Sequence, residues 1–305
     1  MRLSLPLITV LLVVTPRLLA LDTATIEKTT GAKGAWIEAE KVYKLTFPRD
    51  DVKVSVDGNT LPPFMGLTTW ASFMGGREKQ AMVMGDIVLF SDEVNPAMSA
   101  ALGAGLDVTA LHNHFFYDEP KVFFMHVGGE GTEAHLAGGV RKILDAIKQV
   151  RAASPQPAKS FGSAPIETKS SISAKPLDEI FAAAGTSKDG MYKAVFGRQV
   201  TMPCDCVAGK EMGVNTWAAF RGTVDHAIVD GDFVCAYGEL QPVLKTLREG
   251  GINVVAIHNH MEAEAPRMIF LHYWATGRAS DLAKAVKAAL DVQPQFHAHE
   301  HEHNQ

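Results

Sequence analysis

Two histidine strings in this chain have the residue types and the spacing for metal chemistry. His112-Asn113-His114 is followed twelve residues after His114 by His126, and His258-Asn259-His260 is followed at the same interval by His272. In an extended strand, residues two apart project from the same face, so each His-x-His presents two imidazoles together. If the chain then folds back in an antiparallel hairpin centred on Glu119, His126 comes directly opposite His112; a hairpin centred on Ala265 does the same for His272 and His258. Cross-strand neighbours have Cβ atoms about 4.5–5.5 Å apart, which brings three rings around one point.

Three neutral imidazoles with an open fourth position form the donor set of catalytic zinc sites. A His-x-His strand with a third histidine from its neighbour is how some zinc hydratases present it. The expected cofactor is a divalent transition metal, zinc first, with copper or iron as alternatives. Its bound water would supply hydroxide near neutral pH, which points to hydrolysis or hydration. Glu119, Glu262 and Glu264 are the carboxylates nearest in sequence that could act as base or fourth ligand. No catalytic residue is assigned. The competing explanation is that the six histidines simply bond to backbone or to one another on a strand face.

The elements that must position these residues follow from the flanking pattern. Residues 81–90 read as a strand around Gly85-Asp86, followed by Ser91 or Asp92 as a helix cap. Residues 93–106 carry Met98, Ala101, Leu102 and Leu106 at helical spacing. Two apolar runs, 108–116 and 121–127, are split by the turn Tyr117-Asp118-Glu119-Pro120, and an amphipathic helix over 134–150 buries Leu136, Val140, Ile143, Leu144 and Ile147. This order implies an α+β fold, an antiparallel sheet with helices packed on it.

The unit is written twice. Trp70-Ala71-Ser72-Phe73 matches Trp217-Ala218-Ala219-Phe220 at an offset of 147 residues. From Gly85-Asp86, which matches Gly231-Asp232, the offset is 146 and holds through Glu93 with Glu239 and Leu144-Asp145 with Leu290-Asp291. So long a period indicates two homologous domains rather than a solenoid. The expected divisions are a signal peptide at 1–20, repeat domains at 22–150 and 177–292, a Pro/Ser/Ala/Lys-rich linker at 151–176 and a His-rich tail at 293–305. The repeats are expected to pack as an intramolecular pseudo-dimer. Trp70 and Trp217 are expected as core anchors, with the floor of a pocket as the alternative.

Residues 1–20 combine Arg2, a short apolar run and a small-residue end at Ala20, the pattern of a secretory signal, so a periplasmic or secreted location is expected. The run is too short to span a bilayer at roughly 20 residues per crossing, which argues against stable membrane insertion. A net charge of -5 with no basic cluster argues against nucleic acid as partner. Three cysteines make no disulfide framework; Cys235 reads as a core thiol, and the spacing of Cys204 and Cys206 disfavours a mutual bridge. No phosphate loop or dinucleotide fingerprint is present.

The strings Met-Gly-Val-Asn-Thr-Trp-Ala-Ala-Phe at 212–220, Val-Asp-Gly-Asp-Phe at 229–233 and Val-Val-Ala-Ile-His-Asn-His-Met at 254–261 resemble the LppY/LpqO family of exported bacterial proteins. The resemblance covers both repeats and implies export and duplication; the family's shared domain is one of unknown function, so it implies no reaction. Three functions are open on the sequence. The chain is a metal-dependent hydrolase or lyase acting on a small or envelope-derived molecule, a periplasmic metal-buffering protein, or a non-metal ligand-binding module.

Overall fold

The computed structural model describes residues 21–76 and 80–294, so the segment read as a signal peptide and nearly all of the His-rich tail lie outside the described residues. The first half runs α1 (Thr23–Thr30), β1 (Ala35–Ile37), β2 (Val42–Pro48), β3 (Val54–Val56), β4 (Asn59–Leu61), β5 (Thr68–Gly75), β6 (Ala81–Phe90), α2 (Val94–Gly103), β7 (Asp107–His112), β8 (Asp118–Glu119), β9 (Val122–Gly131) and α3 (Glu133–Ala153). The second half runs α4 (Ala174–Phe181), β10 (Thr186–Lys188), β11 (Met191–Gly197), β12 (Val200–Thr201), β13 (Val207–Ala208), β14 (Asn215–Gly222), β15 (Ala227–Ala236), α5 (Leu240–Glu249), β16 (Asn253–His258), β17 (Met268–Gly277) and α6 (Ala279–Asp291). The fold is α+β, two homologous domains of antiparallel sheet and helices.

The two sheets join edge to edge. Twelve strands form one sheet in the order β1-β2-β5-β6-β9-β7-β16-β17-β15-β14-β11-β10, with each half contributing six. At the join, β7 meets β16 antiparallel, and Leu111 pairs with Ile257, its own counterpart in the other repeat. That is the signature of an isologous interface, here within one chain. Side chains lock it symmetrically. The Asn95 amide donates to Val254 O (3.3 Å) and accepts from Val254 N (2.9 Å), while its counterpart Gln241 donates to Val108 O and accepts from Val108 N, both at 2.9 Å.

Helices cover one face of the sheet. Alternate strand residues Ala71, Phe73, Val83, Ile87, Leu89, Met125 and Val127 join Leu136, Val140, Ile143 and Ile147 of α3 in the main core, which runs across both halves. The expected helix face is therefore the buried one, because burying an apolar stripe against the sheet is worth more than any local preference. The residues between them, Trp70, Asp86 and His126, point to the opposite, open face. Small apolar clusters cover part of that face. In the first half, β3, β4 and β8 enclose Val88, Phe90, Val122 and Phe124 with Val52, Val54 and Leu67; in the second, β12 and β13 do so for Val234, Ala236, Met268 and Phe270.

Local details differ from the expected ones. Neither Ser91 nor Asp92 caps α2: Glu93 occupies the cap position. Its fully buried carboxylate accepts Phe90 N at 2.9 Å and a two-pronged pair from Arg49 at 2.8 and 2.9 Å. Asp92 instead pairs with Arg151. Cys204 and Cys206 form a disulfide, against the expectation from their spacing, while Cys235 is the buried thiol expected. Among the described residues, no helix is long and apolar enough to cross a membrane.

Replacing Asn95 with Ala strands a buried donor and a buried acceptor of Val254, so the variant is expected to lose about 1–3 kcal/mol of stability in urea titration, and Gln241→Ala a similar amount. Wild-type midpoints in both variants would contradict the account of the join.

Candidate metal centre

The register across the open face decides which residues meet. In the second half Val195, Trp217, Asp232, His272 and Ala256 are successive cross-strand partners on β11, β14, β15, β17 and β16. The first half repeats the row as Thr46, Trp70, Asp86, His126 and Ala110. An indole, a carboxylate and an imidazole thus stand side by side in each repeat, neighbouring strands being about 4.8 Å apart.

The expected hairpin register is off by one pair. His112 lies opposite Phe124 rather than His126, and His258 opposite Phe270 rather than His272. The loop is not a symmetric turn: Asp118 and Glu119 leave to pair with Val56 and Ser55 of β3, and Glu119-Pro120 is cis. A bulge between Val108 and Ala110, and its copy between Val254 and Ala256, sets the remaining alignment. A shift of two residues preserves the face, so the three histidines still converge as diagonal neighbours.

All six predicted histidines come together in two sets of three. The His112 ring stacks on His126 with centroids 5.2 Å apart, and His258 on His272 at 4.8 Å. His114 and His260 lie just beyond the strand ends, flat against Phe124 and Phe270 with centroids 3.3 and 3.6 Å away. From there His114 Nε2 reaches His112 Nε2 at 3.2 Å, and His260 Nε2 reaches His258 Nε2 at 3.1 Å. His260 Nε2 is also 3.4 Å from Asp232 Oδ2. Donor atoms of Asp232, His258 and His272 all lie within 4.8 Å of one another. Ligands of a tetrahedral ion with bonds of 2.0–2.1 Å stand about 3.3 Å apart, so this spacing suits one small cation.

Tautomers are set from behind. His260 Nδ1 is 3.3 Å from Gly213 O and His272 Nδ1 is 3.3 Å from Gly231 O. Donating there leaves each Nε2 lone pair free to ligate, the arrangement that orients metal-bound imidazoles. Asp86 Oδ1 and Asp232 Oδ1 are buried without a hydrogen-bond partner, as is His258 Nδ1. Orphaned carboxylate oxygens at the same place in both repeats are what a bound cation would satisfy.

Sequence reasoning missed these two aspartates, although the Gly85-Asp86 and Gly231-Asp232 match was in view. The signal was an aspartate following a glycine in the middle of a largely apolar strand, at the same point in both copies. The carboxylates it named instead sit elsewhere. Glu264 Oε1 accepts Met268 N at 2.8 Å, as its counterpart Asp118 accepts Val122 N at 2.6 Å, so this pair shapes the loop. Glu119 and Glu262 are exposed. Trp70 and Trp217 are not core anchors either; half-buried on the open face, they carry Lys44 and Lys193 over their rings at 4.7 and 4.2 Å.

Burial lowers the pKa of His258 to about 4, helped by His272 and His260. His112 is lowered by burial and by His126 and His114; His114 is lowered by burial against the opposing pull of Asp86. Burial raises Asp232, while His272 and His260 act the other way. These histidines are consequently neutral, and able to ligate, at neutral pH.

Because the folded chain refuses a proton at His258 that the unfolded chain takes up, the stability present above the ordinary value of 6.5 is lost as pH falls toward about 4. The metal-free protein should show a urea midpoint that drops between about pH 7 and about pH 4.5, and drops less in His258→Asn. Equal losses in the two proteins would refute the assignment. Raising the Asp232 pKa favours the folded state on acidification and so reduces the net effect without reversing the difference between the proteins.

The comparisons with known proteins bear on both repeats. The family described as Domain of Unknown Function (DUF1259) matches at residues 24–146 and again at 175–292. No curated protein matches the sequence. Among solved structures the chain is similar to a trimeric bacterial microcompartment shell protein, PduB, at 11% identity and TM-score 0.20, covering 89% of this chain and 95% of that one. It is similar also to EtuB from Clostridium kluyveri, at 10% identity and TM-score 0.22, covering 88% and 93%. With most of its length matched in two segments, the chain belongs to the DUF1259 family and carries that domain twice.

Proposed function

We propose that each repeat binds one divalent transition-metal ion, through Asp86 with His112, His114 and His126 in the first and Asp232 with His258, His260 and His272 in the second. One observation carries the reading: in both halves two Nε2 atoms point at each other at 3.1–3.2 Å beside a buried carboxylate oxygen that has no partner. A histidine cluster serving only the fold could satisfy its Nε2 atoms by bonding to one another, but it would leave the buried carboxylate oxygen of each half without the partner that a cation would supply. Zinc fits the mixed nitrogen and oxygen donors, and copper and iron accept them too.

At the second centre the ion would act as a hydrolase or lyase centre on a small molecule, in an exported protein if residues 1–20 are its secretory signal. A cleft of about 480 Å³ reaches Asp232 and His260. That cleft favours chemistry over the alternative of metal buffering, because a store of ions needs no room for a substrate beside them.

Elemental analysis of the full chain and of His114→Ala and His260→Ala tests the assignment. Each variant should hold one metal ion fewer than its parent, and the double variant two fewer. An unchanged content in both single variants would remove these histidines from any metal site; loss of all site metal in either one would mean a single shared ion.

A further inference from the structure

The cleft beside the second centre has a chemistry of its own. Its wall includes Lys193, Lys210, Asn215 and Trp217 together with Asp232 and His260 of the proposed metal ligands. Trp217 is the direct cross-strand neighbour of Asp232, so its indole lies one strand away from the ion. Lys193 Nζ sits 4.2 Å from the centroid of that ring. Among the described residues no carboxylate pairs with Lys193. The cleft's one further acid, Glu211, is turned to Lys210 at 3.5 Å and is largely exposed.

We propose that this cleft binds a small anion through its carboxylate or phosphoryl group, held between the Lys193 ammonium and the metal ion of the second repeat, with Lys210 as a further contact. The proposal rests on the metal reading of Asp232, His258, His260 and His272 and specifies the substrate class for that centre. Three neutral imidazoles and one carboxylate leave a divalent ion with one net positive charge, and Lys193 adds a second within reach of the same cleft. An anion is attracted by both; a cationic ligand meets two like charges. The indole beneath Lys193 holds its stem and ammonium in place by cation–π attraction, so little side-chain freedom is lost when the anion arrives.

The first repeat lacks this arrangement. Lys44 stands over Trp70 as Lys193 does over Trp217. But Pro63, Phe64 and Thr68 occupy the positions of Lys210, Glu211 and Asn215. One anion per chain is therefore expected, although two metal ions are.

The test uses the full chain loaded with cobalt(II), whose visible bands report the ligands around the ion. Inorganic phosphate and acetate are titrated separately, and the tighter of the two identifies the anionic group. The expected result is a saturable band shift from one of the two site ions. Lys193→Met keeps an unbranched stem over Trp217 and removes the charge, and should weaken the anion by about tenfold or more. Lys44→Met should leave the titration unchanged. Wild-type anion affinity in the Lys193→Met protein overturns the proposal, as does a response lost in His114→Ala but kept in His260→Ala. Cobalt that is held normally yet silent to both anions overturns the anion site alone and leaves the metal site standing. A cobalt content unaffected by His260→Ala overturns the metal reading and, with it, this proposal.

Discussion

The alternation of the pleat in β6 with β9, and in β15 with β17, is the constraint on which the centres depend. Every second residue of these strands is fixed under the helices: Val83, Ile87, Leu89, Met125 and Val127 in the first repeat, and Val229, Phe233, Leu271, Tyr273 and Ala275 in the second. A slip by one residue would drive Asp86 and His126 into that core and turn those apolar side chains to water. The donors are thus aimed by packing far larger than any bond they make themselves. Tyr273 adds a brace: its hydroxyl crosses β15 to bond Trp217 O at 2.9 Å. The crossing is open because residue 231 is glycine, where a Cβ would fall 2.2 Å from the tyrosine ring. The carbonyl of that same glycine receives His272 Nδ1, so one close approach sets both the indole and the imidazole beside Asp232.

Duplication places the two centres on either side of the pseudo-two-fold axis, since the strands that carry His112 and His258 are the pair that meet at Leu111 and Ile257. The join that unites the halves also supports the first histidine of each cluster. A single chain keeps the two repeats at fixed stoichiometry while letting their surfaces diverge. The core row of Trp, Asp and His is kept in both copies, whereas the neighbouring turn changes from Pro63-Phe64 to Lys210-Glu211. The row of Trp, Asp and His and part of the surface beside it are in this way separable, because sheet register holds that row and Lys193, whereas Lys210 and Glu211 stand on a short turn at the margin.

The sequence was most informative where periodicity and spacing coincide. Histidines at identical intervals in two copies marked the two clusters that the fold brings together, and the alternation of 81–90 and the stripe on 134–150 marked the sheet and its covering helix. Residues whose partners are distant in sequence were not legible. Asp86 meets His126 across a register that spans a helix and two strands, and Asp232 meets His272 across a helix and one strand. The short-range carboxylates Glu119 and Glu264 looked nearer only along the chain. The symmetric hairpin failed for a related reason: Asp118 and Glu119 are taken by β3, a strand more than 60 residues earlier, and no local turn rule contains that competition. Nor does sequence reveal that two sheets meet edge to edge, because Asn95 and Gln241 are recognisable as a lock only once Val254 and Val108 lie beside them.

Within each cluster the side chains differ in how firmly they are held, and that difference bears on the proposed metal role. Asp86 and His126, like Asp232 and His272, lie within strands and are paired on both sides, while His112 and His258 end their strands and are paired on one side only. His114 and His260 lie past the strand ends, kept near the other two histidines of their cluster by a flat aromatic contact rather than by backbone pairing. Ring stacking of this kind is worth about 0.5–1.5 kcal/mol, far less than a strand's worth of hydrogen bonds, and it permits sliding in the plane of the rings. If each cluster holds the proposed ion, donors of graded firmness would let that ion exchange a ligand or expand its coordination without disturbing the sheet. A purely structural site would gain from four rigid donors, so under the proposed metal reading the looser histidine, His260 lining the cleft in the second repeat, is the element of the geometry that most favours a reactive role over a structural one.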